Sequence, residues 1–332
     1  MTVWLALFSA IGAIGTWLAR TYAVQRNLVD HPGERRSHSA ATPRGGGVAI
    51  VAALLVATLA LAMRDPLRAM QLVGFALGLT LVAGIGWWDD HRPLPAWLRL
   101  GVHAIAASIL SLVVFLAYGE TWLAIVAFVA ALVLTNVWNF MDGINGLAAS
   151  QAALAAAAFA AVSANVWGWL GWALVAACVG FLPFNFPRAR IFLGDVGSGA
   201  LGFVIAALAV AAIGGQGMPW PLALLPLSAF VIDAGLTLAR RVSRREPWWT
   251  AHVQHAYQGL ARRIGSHVPV TMAYAAWTGL GVLLASGLRS TPWFFMLAGV
   301  LAWYMSGAFL WWCLQRTGAG NGRIGRTEWR KE

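Results

Sequence analysis

Asp89, Asp90, Asp142, Asp195 and Asp233 each stand at the end of a long apolar run. A charge drawn toward the bilayer centre costs about 2.5–3.5 kcal/mol on insertion scales, so acids at span ends are paired, bind a cation or do chemistry. Their hard oxygens suit divalent cations and proton transfer. Gathered at one membrane face, they have the layout of an active site working at a bilayer surface. Asp89-Asp90 follows Trp87-Trp88 and precedes His91-Arg92-Pro93, and two adjacent negative charges require a cation or a basic partner. The plain alternative is a solvated helix end paired with Arg92 or Arg99.

Other polar residues cluster around the same breaks. Asn136, Asn139 and Asp142 recur at intervals of three, which in a helix lines one face. Asn145 follows between Gly143 and Gly146, glycines that end or kink a helix and let a ligand approach the backbone. Pro183 and Pro187 are expected to break the next helix around Asn185, and the loop then runs through Phe192 to Asp195, which stands open beside Gly194. A tight turn with Asp195 or Ser198 as an N-cap is the plain reading there. Past His38, the stretch Thr42-Pro43-Arg44-Gly45-Gly46-Gly47 offers backbone amides to a phosphate, or is simply a flexible loop. His252 and His255 lie with Tyr257, Gln258, Arg262 and Arg263, a set that suits a sugar phosphate. No third His or Cys completes a transition-metal site there. Asp233 precedes Arg240-Arg241 and either bridges to them or joins the site.

These residues need a frame, and composition supplies it. With 60% hydrophobic residues, 11% charged residues and a mean hydropathy of +0.70, the chain is excluded from the ordinary water-soluble domains. Apolar runs fall near 3–24, 45–64, 67–88, 98–117, 121–138, 145–164, 166–184, 197–213, 219–238, 270–287 and 292–315, each able to cross a core of about 30 Å. The expectation is an all-α polytopic membrane protein with about 11 transmembrane helices. The first run lacks a basic leader and a small-residue cleavage site, so it reads as a retained span.

Orientation follows from the 23 Lys and Arg residues. With the N-terminus outside, only Arg64, Arg68 and Arg289 face outward, as the positive-inside rule requires. The loops at about 25–44, 89–97, 139–146, 185–196 and 240–269 are then cytoplasmic. Residues 1–318 read as one transmembrane domain and 319–332 as a basic cytoplasmic tail. The net charge of +11 is spread over many segments, which argues for topology and anionic lipid and against nucleic acid. Trp87, Trp88, Trp97, Trp122 and Trp220 read as interfacial anchors, and Cys178 and Cys313 as buried thiols.

Taken in order, Thr42–Gly47, Asp89-Asp90, the Asn136–Leu147 block, Phe192-Leu193-Gly194-Asp195-Val196-Gly197-Ser198 and the His252–His255 loop resemble the polyprenyl-phosphate N-acetylhexosamine-1-phosphate transferases of glycosyltransferase family 4. The resemblance spans nearly the whole chain. It implies that a polyprenyl phosphate oxygen attacks the β-phosphorus of a UDP-N-acetylhexosamine and releases UMP. It implies Mg²⁺, with Mn²⁺ as a substitute, held by Asp195 and Asp89, and a catalytic set of Asp89, Asp90 and Asp142. The implied substrate-binding residues are His38, Arg44, Asn136, Asn139, Asn145, Asn185, Phe192, His252 and His255. Translocases of the family carry Asp at the position of Asn145 and Lys at that of His38, and a more His-rich final loop. The chain therefore looks more like the initiators of O-antigen synthesis. That places the protein in the bacterial cytoplasmic (inner) membrane with its active site facing the cytoplasm. UDP-N-acetylhexosamine, polyprenyl phosphate and the lipid bilayer are its expected partners, with a homodimer left open. A cation-coupled transporter is the rival reading, because intramembrane acids also bind coupling ions.

Overall fold

Burial in an apolar bundle leaves backbone polar groups only each other, and the chain satisfies them as helices. The computed structural model describes residues 1–30, 41–247, 250 and 252–320; His38 and the tail from 321 lie outside this set. Helix α1 (Thr2–Gln25) leads through a short antiparallel pair, β1 (Val29–Asp30) and β2 (Thr42–Pro43), into α2 (Val48–Arg64). Val29 registers with Pro43 and Asp30 with Thr42. Helices α3 (Ala69–His91), α4 (Ala96–Tyr118), α5 (Thr121–Phe140), α6 (Leu147–Val162), α7 (Val166–Asn185) and α8 (Asp195–Gly214) follow as hairpins. The short α9 (Trp220–Ala223) and a 3₁₀ turn at Leu225–Leu227 lead into α10 (Ser228–Ser243), then α11 (Ala256–Ile264), α12 (Val268–Leu288) and α13 (Trp293–Gly320).

The protein is thus an all-α polytopic membrane protein. Among the described residues, nine helical segments are long and apolar enough to cross a membrane, the run from α9 to α10 counting as one. Each expected apolar run corresponds to a helical segment, with three departures. Helices α2 and α6 are 17 and 16 residues long, about 24–26 Å at the α-helical rise and short of a full span. They start late because Gly45 (φ 93°) and Gly146 (φ 74°) adopt left-handed turns ahead of them. The run expected at 219–238 is broken rather than continuous, since Pro221 and Pro226 sit at the starts of two short helical turns.

Helix α8 is the axis of the bundle, with Val196 through Ala212 buried without interruption. It packs mainly on α5 and α3, and large apolar residues such as Leu59, Leu112 and Phe309 point outward from the surrounding helices. Without a hydrophobic drive between helices in lipid, close approach supplies the attraction, and small residues permit it. A Cβ on Gly47 would collide with the backbone of Gly197, and one on Gly86 with the Asp195 carbonyl. These two approaches seat the start of α8 against both α2 and α3.

Gly47→Ala is therefore expected to lower the melting temperature of the detergent-solubilised protein by the equivalent of about 1–3 kcal/mol, the usual cost of overpacking. Gly84→Ala is the control, because a Cβ there meets nothing within 4 Å. It should leave the melting temperature unchanged or raise it. Equal melting temperatures for both variants would refute the tight α2–α8 seat.

Candidate functional site

Several turns meet at the end of the bundle where α8 begins. Asp90, on the last turn of α3, is 3% exposed. Its Oδ1 accepts the Asp195 amide at 3.1 Å and its Oδ2 the Val196 amide at 3.1 Å. First-turn amides lack intrahelical partners and carry partial positive charge, so a carboxylate there is well placed. Gly194 (φ 77°) turns the chain so that these amides point at α3. Arg44 completes the anchor: its Nε is 3.8 Å from Asp90 Oδ1 and its Nη2 donates to the Asp90 carbonyl.

Asp89 faces the other way. Its Oδ1 accepts the Leu94 amide at 2.5 Å and its Oδ2 accepts Arg99 Nη1 at 2.6 Å. The same Arg99 nitrogen lies 3.1 Å from Asp195 Oδ2, so one guanidinium bridges two acids. The other oxygen of Asp195 accepts Asn139 Nδ2 at 2.9 Å, and that amide also reaches Ser198 Oγ at 3.0 Å. Asp142 lies past the end of α5, half-buried, and among the described residues its carboxylate has no hydrogen-bond or ion-pair partner. Burial first, then the charges of Asp195 and Asp90, hold its carboxyl well above the usual carboxylate range.

The remaining expected site residues divide. Helix α5 stops at Phe140, so Asp142 does not share a helical face with Asn136 and Asn139. Asn136 turns back to its own helix, donating to Leu132 O at 2.7 Å. Asn185 is buried and ties two turns together, accepting the Gly146 amide at 2.7 Å and donating to Ile191 O at 2.9 Å. Asn145 donates to Pro187 O at 3.1 Å. The Phe192 backbone donates to Pro43 O and accepts Gly46 N, while Gly47 N donates to Leu193 O. Two amides of the glycine run are thus committed to the neighbouring loop instead of standing free for a phosphate. Pro183 does not break the helix: α7 runs through it to Asn185, a packed bundle tolerating one lost backbone bond so near the helix end.

His252 and His255 have ring centroids 4.8 Å apart, and His255 stacks with Phe140 and Tyr257 at 6.3 and 5.7 Å. Asp233 does not bridge to Arg240 or Arg241. Those residues lie two turns further along α10 and are engaged elsewhere, Arg240 with Gln315 at 2.7 Å and Arg241 with Glu246 at 3.2 Å. Asp233 turns inward to α11. The sequence offers Arg99 only as a neutralising partner, although its place in the first turn of α4, just after an acid pair, is a signal for the bridging role.

Among the described residues, no three His, Cys, Asp or Glu side chains form a ready-made metal cage. Mg²⁺ seldom needs one, since it keeps waters and is commonly held by one or two carboxylates plus substrate phosphates. Asp195, Asp89 and the unengaged Asp142 offer that all-oxygen donor set, and the bridging cation Arg99 marks where their charge calls for compensation. The residues fit a hard divalent ion.

The family model described as Glycosyl transferase family 4 matches residues 72–213, the stretch from α3 through α8. The chain is 30% identical to a phospho-N-acetylmuramoyl-pentapeptide-transferase of Heliobacterium modesticaldum, the match covering 85% of this chain and 96% of the relative. It is 27% identical to a decaprenyl-phosphate N-acetylglucosaminephosphotransferase of Mycolicibacterium smegmatis, over 87% of this chain and 82% of the relative. A probable undecaprenyl-phosphate N-acetylglucosaminyl 1-phosphate transferase of Bacillus subtilis is 28% identical over 75% of each chain.

Asp142 gives a pH test. A carboxyl whose pKa is higher folded than unfolded takes up protons on folding, so its contribution to stability is full at low pH and is lost as pH rises through the raised value. In metal-free buffer, Asp142→Asn should melt above the unmodified protein at pH 8, with the gap closing as pH falls. A variant less stable at pH 8 would contradict the electrostatic account.

Proposed function

Because the chain belongs to glycosyl transferase family 4, we propose that it transfers an N-acetylhexosamine 1-phosphate from a UDP-sugar to a polyprenyl phosphate and releases UMP. The observation that carries this reading is the meeting of Asp89, Asp142 and Asp195 with Arg44 and Arg99 at one end of an apolar bundle. One substrate is anchored in the bilayer and the other is a soluble polyanion, so chemistry belongs at that boundary. The relatives named above act on polyprenyl phosphates or on phospho-N-acetylmuramoyl-pentapeptide, which supports the same reaction class here.

In the transfer, an oxygen of the lipid phosphate forms a bond to the sugar-bearing phosphorus as the bond to the UMP oxygen breaks. A phosphate monoester has its second pKa at about 6 and is largely ionised near neutrality, so no base is strictly required. The difficulty is charge: several phosphates must be brought together. Arg44 and Arg99 supply fixed positive charge, with Arg99 exchanging its carboxylate partners for phosphate oxygens. Mg²⁺, or Mn²⁺ in its place, would be held by Asp195 and Asp89 with Asp142 adjacent, and would neutralise and align the phosphates. Asp90, spent on the α8 amides, keeps Asp195 in place. Asn139, Asn145, Phe192, His252 and His255 are assigned to the UDP-sugar, and Asn185 to holding the turn beneath it.

The same reading sets the site on the cytoplasmic face of the bacterial inner membrane, with the N-terminus outside. The product is a lipid-linked sugar that starts an O-antigen-like surface polysaccharide. Coupled transport would want its acids near the midplane, whereas these acids sit at one end of the bundle.

Purified protein given polyprenyl phosphate, Mg²⁺ and a panel of UDP-N-acetylhexosamines should release UMP with at least one of them. Chelation should abolish the release, and Asp195→Asn should lower it by roughly 10²–10³-fold, the scale of losing one preorganised electrostatic contact. Failure of every donor, with solute uptake by proteoliposomes instead, would replace this reading with the transporter.

A further inference from the structure

Asp233 is the acid that the cluster around Asp195 leaves unused. It is 2% exposed on α10, and its oxygens gather the first turn of α11. Oδ1 accepts the Ala256 amide at 2.8 Å, and Oδ2 accepts the Tyr257 amide at 3.1 Å and the Tyr274 hydroxyl at 2.7 Å. Thr237 Oγ1 donates to Oδ1 at 3.2 Å, and His255 Nδ1 stands 3.7 Å from the same oxygen. A buried carboxylate at a membrane boundary is costly unless satisfied. This one is satisfied chiefly by two orphan amides of a helix start, which fixes where α11 begins.

What α11 holds is the turn that carries Asp142. The Tyr257 hydroxyl donates to Phe140 O at 3.0 Å. A Cβ on Gly143 would collide with that hydroxyl and come within 3.2 Å of Gln258 Nε2. The first turn of α11 therefore lies directly on residues 140–143. His255 is kept in register by stacking with Phe140 and Tyr257. Among the described residues, Gln258 Oε1 of this shell is buried without a hydrogen-bond partner, while His255 Nδ1 faces the Asp233 carboxylate at 3.7 Å.

Resting on the transferase reading above, we infer that Asp233 is a positioning residue for the transfer. It pins the start of α11 so that Tyr257 sets the Asp142 turn and His255 and Gln258 are held in place beside it. The route is continuous: Asp233 to the Ala256 and Tyr257 amides, through the Tyr257 ring to Phe140 and Gly143, and so to Asp142. Asp233 itself touches no substrate.

The test is a double-mutant cycle with Asp233→Asn and Tyr257→Phe, measuring kcat per folded molecule, KM for each substrate, and amide exchange over 256–264. Each single variant should lower kcat by tenfold or more, given that a misplacement of about 1 Å costs about 10²-fold. KM for polyprenyl phosphate should stay put and KM for the UDP-sugar should rise. The double variant should be no worse than Asp233→Asn alone, because both changes cut one route. Exchange over 256–264 should quicken in Asp233→Asn while the bundle stays protected. Losses that multiply, unchanged exchange, or a lower folded yield with unaltered kcat and KM would each overturn the assignment. If the unmodified protein released no UMP from any donor, the transferase reading and this role would both fall. Exchange would still report whether Asp233 anchors α11, so the two failures are distinguishable.

Discussion

The Asp90 carboxylate, buried between α3 and the start of α8, is the interaction on which the rest of the site depends. Helix α8 is buried along nearly its whole length, so its first-turn amides have no water to turn to. Asp90 satisfies two of them from α3. That bond pair stops α8 where Asp195 is its first residue, and Arg44 ties the same carboxylate to the turn before α2. The close approaches of Gly47 to Gly197 and Gly86 to Asp195 leave no room for another arrangement. The acid most deeply placed in the pair thus does architecture, and its neighbour Asp89 is left to Leu94 and Arg99.

The second organising fact is an excess of negative charge confined to a small space. Arg99 spans Asp89 and Asp195, and Asp142 has no counter-charge among the described residues. A folded protein normally avoids this, because unpaired carboxylates at an apolar boundary cost stability. The transfer proposed above would account for such a cluster, since phosphates and their accompanying cations would meet it there. Local conflicts of this kind are what functional sites look like in an otherwise consistent fold.

Asp233 and Asp90 solve the same problem in the same way at two places in the fold. Each is a buried acid that caps the start of a helix from another helix, α8 in one case and α11 in the other. In a membrane bundle, where side chains have few partners to choose from, capping across helices is an economical use of a charge. It also gives the acid cluster and the start of α11 fixed points to hang from.

Much of this was legible in the chain. The apolar runs, the acids at their ends and the concentration of Asn and Gly around residue 142 located both the helices and the turns that meet. What misled was local too: Pro183 looked like a helix breaker but sits within α7, and the face shared by Asn136, Asn139 and Asp142 ends when α5 does. The glycines before α2 suggested free amides, yet Gly46 and Gly47 donate to Phe192 and Leu193. Sequence by itself determined the membrane class, the approximate helices and the residue types available for chemistry, because hydropathy and spacing are properties of contiguous residues. Only the tertiary structure decided which acid caps a helix, which bridges to Arg99 and which has no partner among the described residues. Those pairings join residues as far apart as Asp90 and Val196, 106 positions along the chain, and a hydrogen bond is settled by distance in space, which the order of residues does not contain.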